Sequence, residues 1–259
     1  MPELPEVEHA ARVLRAAMVG RRVTRVRVLH PSLRAKLPPR DQRRLTGRVV
    51  RDVVRRGKHQ VIHLDDGTAL VAHFRMTGDW AVGRVGDAPA PYARAELELD
   101  DGTRVTLSDS RALGTLVRTD DPASVLPELG PEPDDPSLTP SSLAVSLARR
   151  RGAIKPALLD QRVLAGVGNI YAAEALWRAR IDPRTPARSL DTAHLKRLIA
   201  AIRTVLRLAP AGRYQNEAAA ARWNVYDREG LTCRRCGGTV RRIVQAARST
   251  YFCPDCQKA

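Results

Sequence analysis

Residues 233–256 read CRRCGGTVRRIVQAARSTYFCPDC, and this stretch holds all four cysteines of the chain. The cysteines form two Cys-x2-Cys pairs, Cys233 with Cys236 and Cys253 with Cys256, and sixteen residues separate the pairs. Two such pairs supply four thiolates, the ligand set that suits a tetrahedral Zn²⁺. Because all four positions would be filled by protein, the pattern predicts one structural Zn²⁺, with a catalytic zinc or an iron–sulfur centre as minor alternatives.

The residues between the two cysteine pairs have the pattern of a β-hairpin. Two short β-prone runs, TVRRIVQ (239–245) and STYFC (249–253), flank AAR (246–248). The sequence therefore predicts a zinc finger built on a hairpin, with Arg248 near its tip. A guanidinium there is suited to a phosphate, since its planar fork matches phosphate oxygens. The alternative is an exposed loop arginine without a ligand.

The chain upstream of the cysteines, residues 141–208, has helical periodicity. Within it, KPALLDQRVLAGVGNIY (155–171) predicts a helix to about Leu164, a break at AGVG, and a second helix capped by Asn169. Two helices joined by a glycine-containing turn form a helix-turn-helix-like hairpin. The N–H groups around Gly168 and Asn169 would then offer a phosphate site, although most such turns merely connect helices.

The first half of the chain, residues 22–118, consists instead of short β-branched runs. Asp-Asp-Gly turns at 65–67 and 100–102 are strong hairpin signals, so the pattern predicts an antiparallel sandwich or barrel. The Pro- and Asp-rich stretch 130–140 is typical of an interdomain linker. Residues 210–224 favour a loop of uncertain order.

The chain opens with MPELPEVEHA, and residues 5–19 have the pattern of a helix. Pro5 suits a first turn and acidic residues suit its positive end. Gly20 is expected to end this helix. One apolar stripe should face the core: Val7, Ala11, Leu14 and Met18.

The composition favours a polyanionic partner. Lys+Arg number 44 against 28 Asp+Glu, a formal net charge of +16, and nucleic acid is the usual partner of such an excess; the alternative is a solvated arginine-rich surface. Aromatic residues are only 4% of the chain, which argues against a single-strand binder that stacks bases on aromatic rings. No apolar run is long enough to cross a membrane, and acidic residues at 3, 6 and 8 do not fit a signal peptide. A cytoplasmic protein is therefore expected.

Six motifs together resemble the formamidopyrimidine-DNA glycosylase/endonuclease VIII family, and they cover essentially the whole chain in order. They are MPELPEVE at the start, RRGKH (55–59), HFRMTG (73–78), ELGPEPDDP (128–136), IKPALLDQRVLAGVGNIYAAEALW (154–177) and ARSTYFCPDCQ (247–257).

The resemblance implies an α+β multidomain fold. An N-terminal antiparallel β-sandwich with flanking helices would be followed by a helix-two-turn-helix domain and a C-terminal β-hairpin zinc finger. The expected boundaries are 1–129 for the catalytic sandwich, 130–140 for the linker, 141–224 for the helical DNA-binding domain and 225–259 for the finger.

The resemblance also implies a function in base-excision repair. Members of this family remove oxidised bases from duplex DNA and cut the strand at the abasic site, so they are both DNA glycosylases and lyases. The expected partner is double-stranded DNA with an oxidised base or an abasic site. The protein is expected to be a monomer that is cytoplasmic and nucleoid-associated.

The opening motif has a chemical explanation in this family, which uses the matching proline as its nucleophile. Once the initiator methionine is removed, Pro2 has a free α-amino group with a pKa of about 8, so it can attack a sugar C1′ at neutral pH. The resulting Schiff base is a cationic iminium, an electron sink for β,δ-elimination. The family assigns acid/base catalysis to the residue that matches Glu3 and a supporting role to Glu6. For Glu8, a preference for helix starts suffices.

Five further residues match family positions that contact DNA. Lys58 matches a lysine that binds phosphate near the lesion and assists catalysis, and Lys155 matches a lysine near the flipped base. Asn169 and Arg248 match the two phosphate clamps. Met76 matches the wedge that fills the hole left by the flipped base. Apart from the resemblance, Met76 would be expected in the core.

The chain departs from the purine-repairing branch of the family in one loop. That branch usually has DPRRFG where residues 109–114 read DSRALG. Arg111 can still reach the orphaned base and Leu113 can still act as a wedge, but the phenyl ring and the second arginine are absent. The loop at 210–224 also looks shorter than in that branch. PELPEVE and ARSTYFC favour the purine branch, so the substrate stays open between 8-oxoguanine/formamidopyrimidine and oxidised pyrimidines.

A rival hypothesis is a non-catalytic zinc-ribbon nucleic-acid or lesion-binding protein. It explains the positive charge, the finger and the helical hairpin. It leaves the pair Pro2-Glu3 without a role, which favours the enzyme.

Overall fold

The structure is a computed structural model that describes residues 1–209 and 222–258. Its contacts divide the chain into two compact units. The first unit consists of residues 1–2 and 6–127, and the second of residues 3–5 and those from 128 onward. The finer domain boundaries expected above stay predictions. Of the loop expected at 210–224, residues 210–221 lie outside the part of the chain that the structure describes.

Helix α1 (Leu4–Met18) opens the chain, one residue earlier than expected. Its apolar stripe is buried as predicted, from Val7 to Met18, and Ala10 joins it. Gly20 follows with a φ of +80°, the left-handed conformation that commonly ends a helix.

Eight strands build the first unit: β1 (Val23–Val28), β2 (Val50–Arg56), β3 (His59–Leu64), β4 (Ala69–His73), β5 (Asp79–Arg84), β6 (Ala93–Leu99), β7 (Thr103–Ser108) and β8 (Thr115–Thr119). They form two antiparallel sheets, in the orders β1-β6-β7-β5 and β2-β3-β4-β8. Apolar side chains from both sheets and from α1 share one core. The predicted antiparallel sandwich is confirmed.

The two Asp-Asp-Gly turns connect strands as predicted. Asp66 Oδ1 accepts a hydrogen bond from the Thr68 N–H in the β3–β4 turn, and Asp101 Oδ1 accepts from Thr103 in the β6–β7 turn. Strands β5 and β8 were not singled out in the sequence, since each is short and bordered by Asp or Gly. Three short helices that begin with proline were also missed: α2 (Pro31–Arg34), α3 (Pro39–Leu45) and α4 (Pro122–Val125).

Four helices build most of the second unit: α5 (Pro140–Ala148), α6 (Ile154–Leu159), α7 (Asn169–Ala179) and α8 (Thr192–Arg207). Their buried faces share a core rich in leucine and alanine. Arg203 on α8 donates hydrogen bonds to the carbonyl groups of Pro133, Asp135 and Leu138. This arginine anchors the predicted linker segment to the helical core.

The prediction for the helical hairpin was wrong in two details. Helix α6 ends at Leu159 rather than near Leu164, and residues 160–168 form an irregular turn. Gln161 holds this turn, since its side chain donates to the carbonyls of Leu159 and Val167. Asn169 is the first residue of α7 and not its cap, because Gly168 occupies the cap position.

The last segment forms the predicted hairpin, β9 (Arg241–Gln245) paired with β10 (Arg248–Phe252). Ala246 and Ala247 make the two-residue turn, with φ values of +47° and +58°, as this tight kind of hairpin requires. No helix within residues 1–209 and 222–258 combines the length and the apolar character that spanning a bilayer requires.

Candidate active site and metal centre

Glu3 lies at the N-terminus of α7 and is 2% exposed. Its Oε1 accepts a hydrogen bond of 2.9 Å from the Ile170 N–H, and its Oε2 accepts one of 3.3 Å from Tyr171. Gly168 has no side chain with which to cap α7. A carboxylate from the start of the chain therefore caps this helix, where the helix dipole favours negative charge.

Gly168 leaves the space that Glu3 occupies. A Cβ atom at position 168 would lie 2.2 Å from Glu3 Cδ and 2.5 Å from Oε1. No real Cβ tolerates such a distance, so any other residue at 168 must displace the carboxylate. This explains why the motif AGVGN requires glycine immediately before the helix.

Lys155 is buried in the second unit with its ammonium fully hydrogen-bonded. Nζ donates to Asn169 Oδ1 at 2.6 Å, to Thr250 Oγ1 at 2.8 Å and to the Ser249 carbonyl at 2.9 Å. Burial lowers the pKa of Lys155 to about 8, with Glu3 opposing the shift and Arg248 adding to it. The ammonium is therefore charged at neutral pH but loses its proton far more easily than an ordinary lysine.

Asn169 and Arg248 complete this group. Asn169 Nδ2 donates to the Ser249 carbonyl at 3.1 Å, so one amide bridges the buried lysine and strand β10. Arg248 is the exposed first residue of β10, directly after the hairpin turn. Lys155 and Asn169 from the helical motif and Arg248 from the zinc-finger motif thus lie in one neighbourhood of the second unit.

Lys58 lies in the turn between β2 and β3, and it is only 7% exposed. The turn has two residues, Gly57 and Lys58, and Gly57 has a φ of +57°. Glu6 on α1 is equally buried. Pro2 is half-buried and lies just before α1. These three predicted site residues belong to the first unit.

Two histidines next to Lys58 were not foreseen. The rings of His59 and His73 lie on paired strands, 4.5 Å apart between centroids. Burial, together with the charge of Arg75, lowers the pKa of His59 to about 4. Burial and the neighbouring His59 lower the pKa of His73 to about 3. Both imidazoles are therefore neutral at pH 7.

The two candidate wedge residues, Met76 and Leu113, and the candidate contact to the orphaned base, Arg111, lie on the surface of the first unit. Met76, in the turn between β4 and β5, is 38% exposed, so the core placement expected from its residue type alone is wrong. Leu113 is 44% exposed in the loop between β7 and β8. Arg111 in the same loop is also exposed.

Asp109 joins the two wedge loops, which are the β4–β5 turn that carries Met76 and the β7–β8 loop that carries Leu113. No local sequence pattern identified this role. Its Oδ1 accepts from the Thr77 hydroxyl, in the Met76 turn. Its Oδ2 accepts from the N–H groups of Leu113 and Gly114, each at 2.7 Å. Burial alone would raise the pKa of Asp109, but these hydrogen bonds outweigh it and lower the pKa. A carboxylate that is charged at neutral pH therefore shapes the loop.

Glu174 is a second buried carboxylate that the sequence did not reveal. It lies on α7, 2% exposed, and accepts hydrogen bonds from the backbone N–H groups of Asn224, Val225 and Tyr226. Its partners lie about fifty residues further along the chain, so no local pattern identifies them. The carboxylate fixes the segment that leads into the zinc finger.

The four cysteine thiols fit a tetrahedral zinc ion. Their Sγ atoms all lie within 4.8 Å of one another. Cys233 and Cys256 are 3.8 Å apart at sulfur, and Cys236 and Cys253 are 3.5 Å apart. A tetrahedron with Zn–S bonds of about 2.3 Å has sulfur–sulfur distances of about 3.8 Å. The predicted single structural Zn²⁺ is confirmed by this donor set.

Comparison with known families accounts for nearly the whole chain. The formamidopyrimidine-DNA glycosylase N-terminal domain matches residues 1–116, the formamidopyrimidine-DNA glycosylase H2TH domain matches 129–216, and the zinc finger found in FPG and IleRS matches 230–259. The chain belongs to the formamidopyrimidine-DNA glycosylase family. The family resemblance inferred from the six motifs is thereby confirmed.

Full-length relatives and solved structures agree with this assignment. The formamidopyrimidine-DNA glycosylases of Geobacter sulfurreducens and Cereibacter sphaeroides are 40% and 42% identical, with both chains covered completely. A structure of MutM in complex with DNA containing carbocyclic 8-oxo-G matches with a TM-score of 0.90 and 29% identity over both full chains. A mutant of Lactococcus lactis FPG in complex with DNA containing Fapy-dG matches equally well, at 0.90 and 28%. The predicted fold class is confirmed.

Proposed function

We propose that this DNA glycosylase of base-excision repair removes 8-oxoguanine and formamidopyrimidines from duplex DNA and cleaves the abasic strand through a Schiff base on Pro2. The observation that carries the proposal is the buried Glu3 carboxylate, fixed on two backbone N–H groups of α7 beside the residue that would become the N-terminus. The names of the relatives and the DNA in the related structures support the oxidised-purine substrate.

The proposed chemistry uses the Pro2 amine after removal of Met1. The nitrogen attacks C1′ of the damaged nucleotide, the bond to the base breaks, and the ring oxygen takes up a proton as the sugar opens. Loss of a C2′ proton then sends the C–H electron pair into the iminium and gives an enamine. The enamine returns that pair to form the C2′–C3′ double bond, and the 3′ phosphate leaves with the C3′–O bonding pair. Glu3 is proposed to carry these protons, because it follows Pro2 directly in the chain and two backbone N–H groups of α7 hold its carboxylate. Repetition of the elimination expels the 5′ phosphate.

The second unit offers a phosphate-binding group in this proposal. Arg248 provides an exposed guanidinium for bidentate contact. The buried Lys155 supplies a charge that its three acceptors hold in place, and Asn169 connects it to strand β10. Met76, Arg111 and Leu113 are proposed to enter the duplex where the damaged base leaves the stack.

Borohydride trapping tests the proposed lyase chemistry and the lesion preference together. The purified protein is incubated with duplexes that carry 8-oxoguanine, a formamidopyrimidine, 5-hydroxycytosine, thymine glycol or an abasic site, and the imine is reduced to a stable adduct. Adducts with the two oxidised purines and the abasic site are expected to dominate. A rank order led by the oxidised pyrimidines would contradict the proposed substrate but not the glycosylase. No adduct on any duplex would favour the non-catalytic lesion binder.

The expected monomer and its cytoplasmic, nucleoid-associated location are also proposals. A net charge of +16 opposes self-association. Light scattering coupled to gel filtration should give the mass of one chain, and a dimer mass would contradict the monomer.

Gly168→Ala is expected to lower excision about 100-fold or more, a loss in the range of a removed acid/base catalyst. The added methyl group collides with Glu3 and displaces its carboxylate. Single-turnover excision of 8-oxoguanine measures the loss, with Glu3→Gln as the reference variant. Gly152→Ala is the matched control, since a Cβ at Gly152 meets no heavy atom within 4 Å. Excision by Gly168→Ala at the rate of this control would contradict the role of Glu3.

Arg248→Ala is expected to weaken duplex binding by a similar factor with and without a lesion. A phosphate contact carries no base information, so its loss also reduces the slope of log K against log salt by about 1. Fluorescence anisotropy between 50 and 200 mM salt, roughly the range over which such contacts are resolved, measures the slope. Arg188→Ala, on the same unit but outside the hairpin, is the control. An unchanged slope for Arg248→Ala would exclude a phosphate contact.

A further inference from the structure

A hydrogen-bonded connection runs from α1 to the turn that carries Lys58. Arg55, near the end of β2, donates from Nε to Glu8 Oε2 at 2.9 Å. The same guanidinium donates from Nη1 to the Gly57 carbonyl at 3.2 Å. The side chain of Arg55 is 9% exposed and that of Glu8 is 28% exposed. The ion pair is therefore partly shielded from water, which strengthens it relative to a surface pair.

The Glu8 carboxylate is fixed by contacts on both oxygens. Its Oε1 accepts from Arg12 Nε at 3.0 Å, one helical turn further along α1. Its Oε2 is the atom that binds Arg55. The carboxylate cannot rotate without losing one of these contacts, so Arg55 has a rigid partner on the helix. The preference of helix starts for acidic residues does not explain these two contacts, so the explanation of Glu8 by helix position alone is insufficient.

The Gly57 carbonyl determines how Lys58 leaves the turn. That carbonyl belongs to the peptide plane that joins Gly57 to Lys58, and a planar peptide fixes the backbone on both sides. Gly57 is in the left-handed region, with a φ of +57°, where glycine has unusual freedom. Holding the carbonyl oxygen removes that freedom and orients the Lys58 backbone.

We propose that Glu8 and Arg55 are positioning residues for Lys58, with Arg55 transmitting the fixed geometry of α1 to the turn. The proposal rests on the proposed function, in which Lys58 assists excision. Neither Glu8 nor Arg55 needs to touch the DNA. Their effect on the reaction passes through the Gly57 carbonyl and the Lys58 side chain.

A second ion pair between the same helix and the same strand provides a matched control. Arg15 on α1 lies 3.5 Å from Asp52 on β2, Nε to Oδ1, and donates to the Val53 carbonyl. This pair joins α1 to β2 without a contact to the turn. Asp52→Asn therefore reports how much the helix–strand connection alone contributes to excision.

The test is single-turnover excision from an 8-oxoguanine duplex with enzyme in excess. Glu8→Gln and Arg55→Lys are expected to slow excision about tenfold, as small misplacements of a reacting group do. Asp52→Asn is expected to stay within about twofold of the wild type, as for most surface pairs. The thermal midpoints of the three variants should fall by similar amounts. In a Lys58→Ala background, Glu8→Gln is expected to cause no further loss, because the group that it positions is gone.

Three results would overturn the proposal. One is an equal slowing by Asp52→Asn, which would make the effect a general loosening of α1. Another is a further tenfold loss of excision rate when Glu8→Gln is added to Lys58→Ala, which would mean that Glu8 affects excision independently of Lys58. The third is a wild-type rate for Lys58→Ala. None of these results would contradict the proposed glycosylase function, as long as the wild-type protein excises 8-oxoguanine in the same assay.

Discussion

Pro2→Gly is expected to lose most of the borohydride-trapped adduct with 8-oxoguanine DNA, and to slow base excision by roughly 1,000-fold or more, the scale of losing a catalytic nucleophile. Proline is a secondary amine, so its Schiff base is a cationic iminium at every pH. A glycine amine gives a neutral imine that must first be protonated to withdraw electrons. Glycine also frees the backbone at the point where Pro2 restricts it.

Wild type and Pro2→Gly can be compared because both should lose the initiator methionine. Glycine at position 2 is also small, so removal of the initiator methionine should proceed, and intact mass spectrometry checks that it does. Pro5→Ala is the matched control, since it removes a proline ring from the first turn of α1 but leaves the Pro2 amine. Trapping at the wild-type level by Pro2→Gly would refute the proposed nucleophile. Loss of trapping in Pro5→Ala would assign the effect to the turn instead.

Removal of the zinc ion is expected to unfold the finger and weaken duplex binding by about 1,000-fold or more, since structural zinc sites contribute on the order of 10 kcal/mol to folding. An isolated hairpin is marginally stable in water, and β9 and β10 have five residues each. Their unfolding would also withdraw Ser249 and Thr250, two of the three acceptors that hold the buried Lys155 ammonium.

Trp177 reports directly on this change. Its indole N–H lies 3.4 Å from Cys233 Sγ, and the Arg235 guanidinium lies 3.9 Å from its ring centroid. Chelation should therefore shift tryptophan fluorescence together with the loss of binding, and added Zn²⁺ should restore both. Elemental analysis should find one zinc per chain. A zinc-free protein that keeps its fluorescence and binds DNA normally would contradict the structural role.

Features with short-range causes were predictable from the sequence. The two Asp-Asp-Gly turns and the apolar stripe of α1 depend on residues a few positions apart. The zinc ligands were predictable because each cysteine pair has its own short Cys-x2-Cys spacing. The end of α6 was misplaced because Gln161 and Asp160 hold a turn that continues to look helical in its apolar spacing. Helix propensity alone did not distinguish a longer α6 from a helix that ends at Leu159 and is followed by a turn.

Residues of the candidate site could be predicted only where they belong to a recognisable sequence motif. The roles of Pro2, Glu3 and Lys155 came from a family resemblance, and that of Arg248 came from the hairpin pattern as well. The individual roles of these residues stay predictions. Asp109 and Glu174 could not be foreseen, since a buried carboxylate is identified by the backbone N–H groups around it and not by its neighbours in sequence. Gly168 illustrates the same point. Position 168 must be glycine because a Cβ there would collide with Glu3, which lies far away in the sequence.

The contact of Asp109 with Thr77 has a consequence for the way in which this protein could search DNA. The backbone of the two wedge loops is ordered as the protein folds, so the loss of conformational entropy, about 1–2 kcal/mol per residue, does not recur at each encounter. A preorganised probe needs no rearrangement of its own between neighbouring base pairs. The remaining barrier is then the unstacking of the base, on the order of a few kcal/mol and smallest where the pair is already damaged. Where Met76 and Leu113 enter the duplex as proposed, we therefore expect discrimination during the search to depend on the deformability of the DNA.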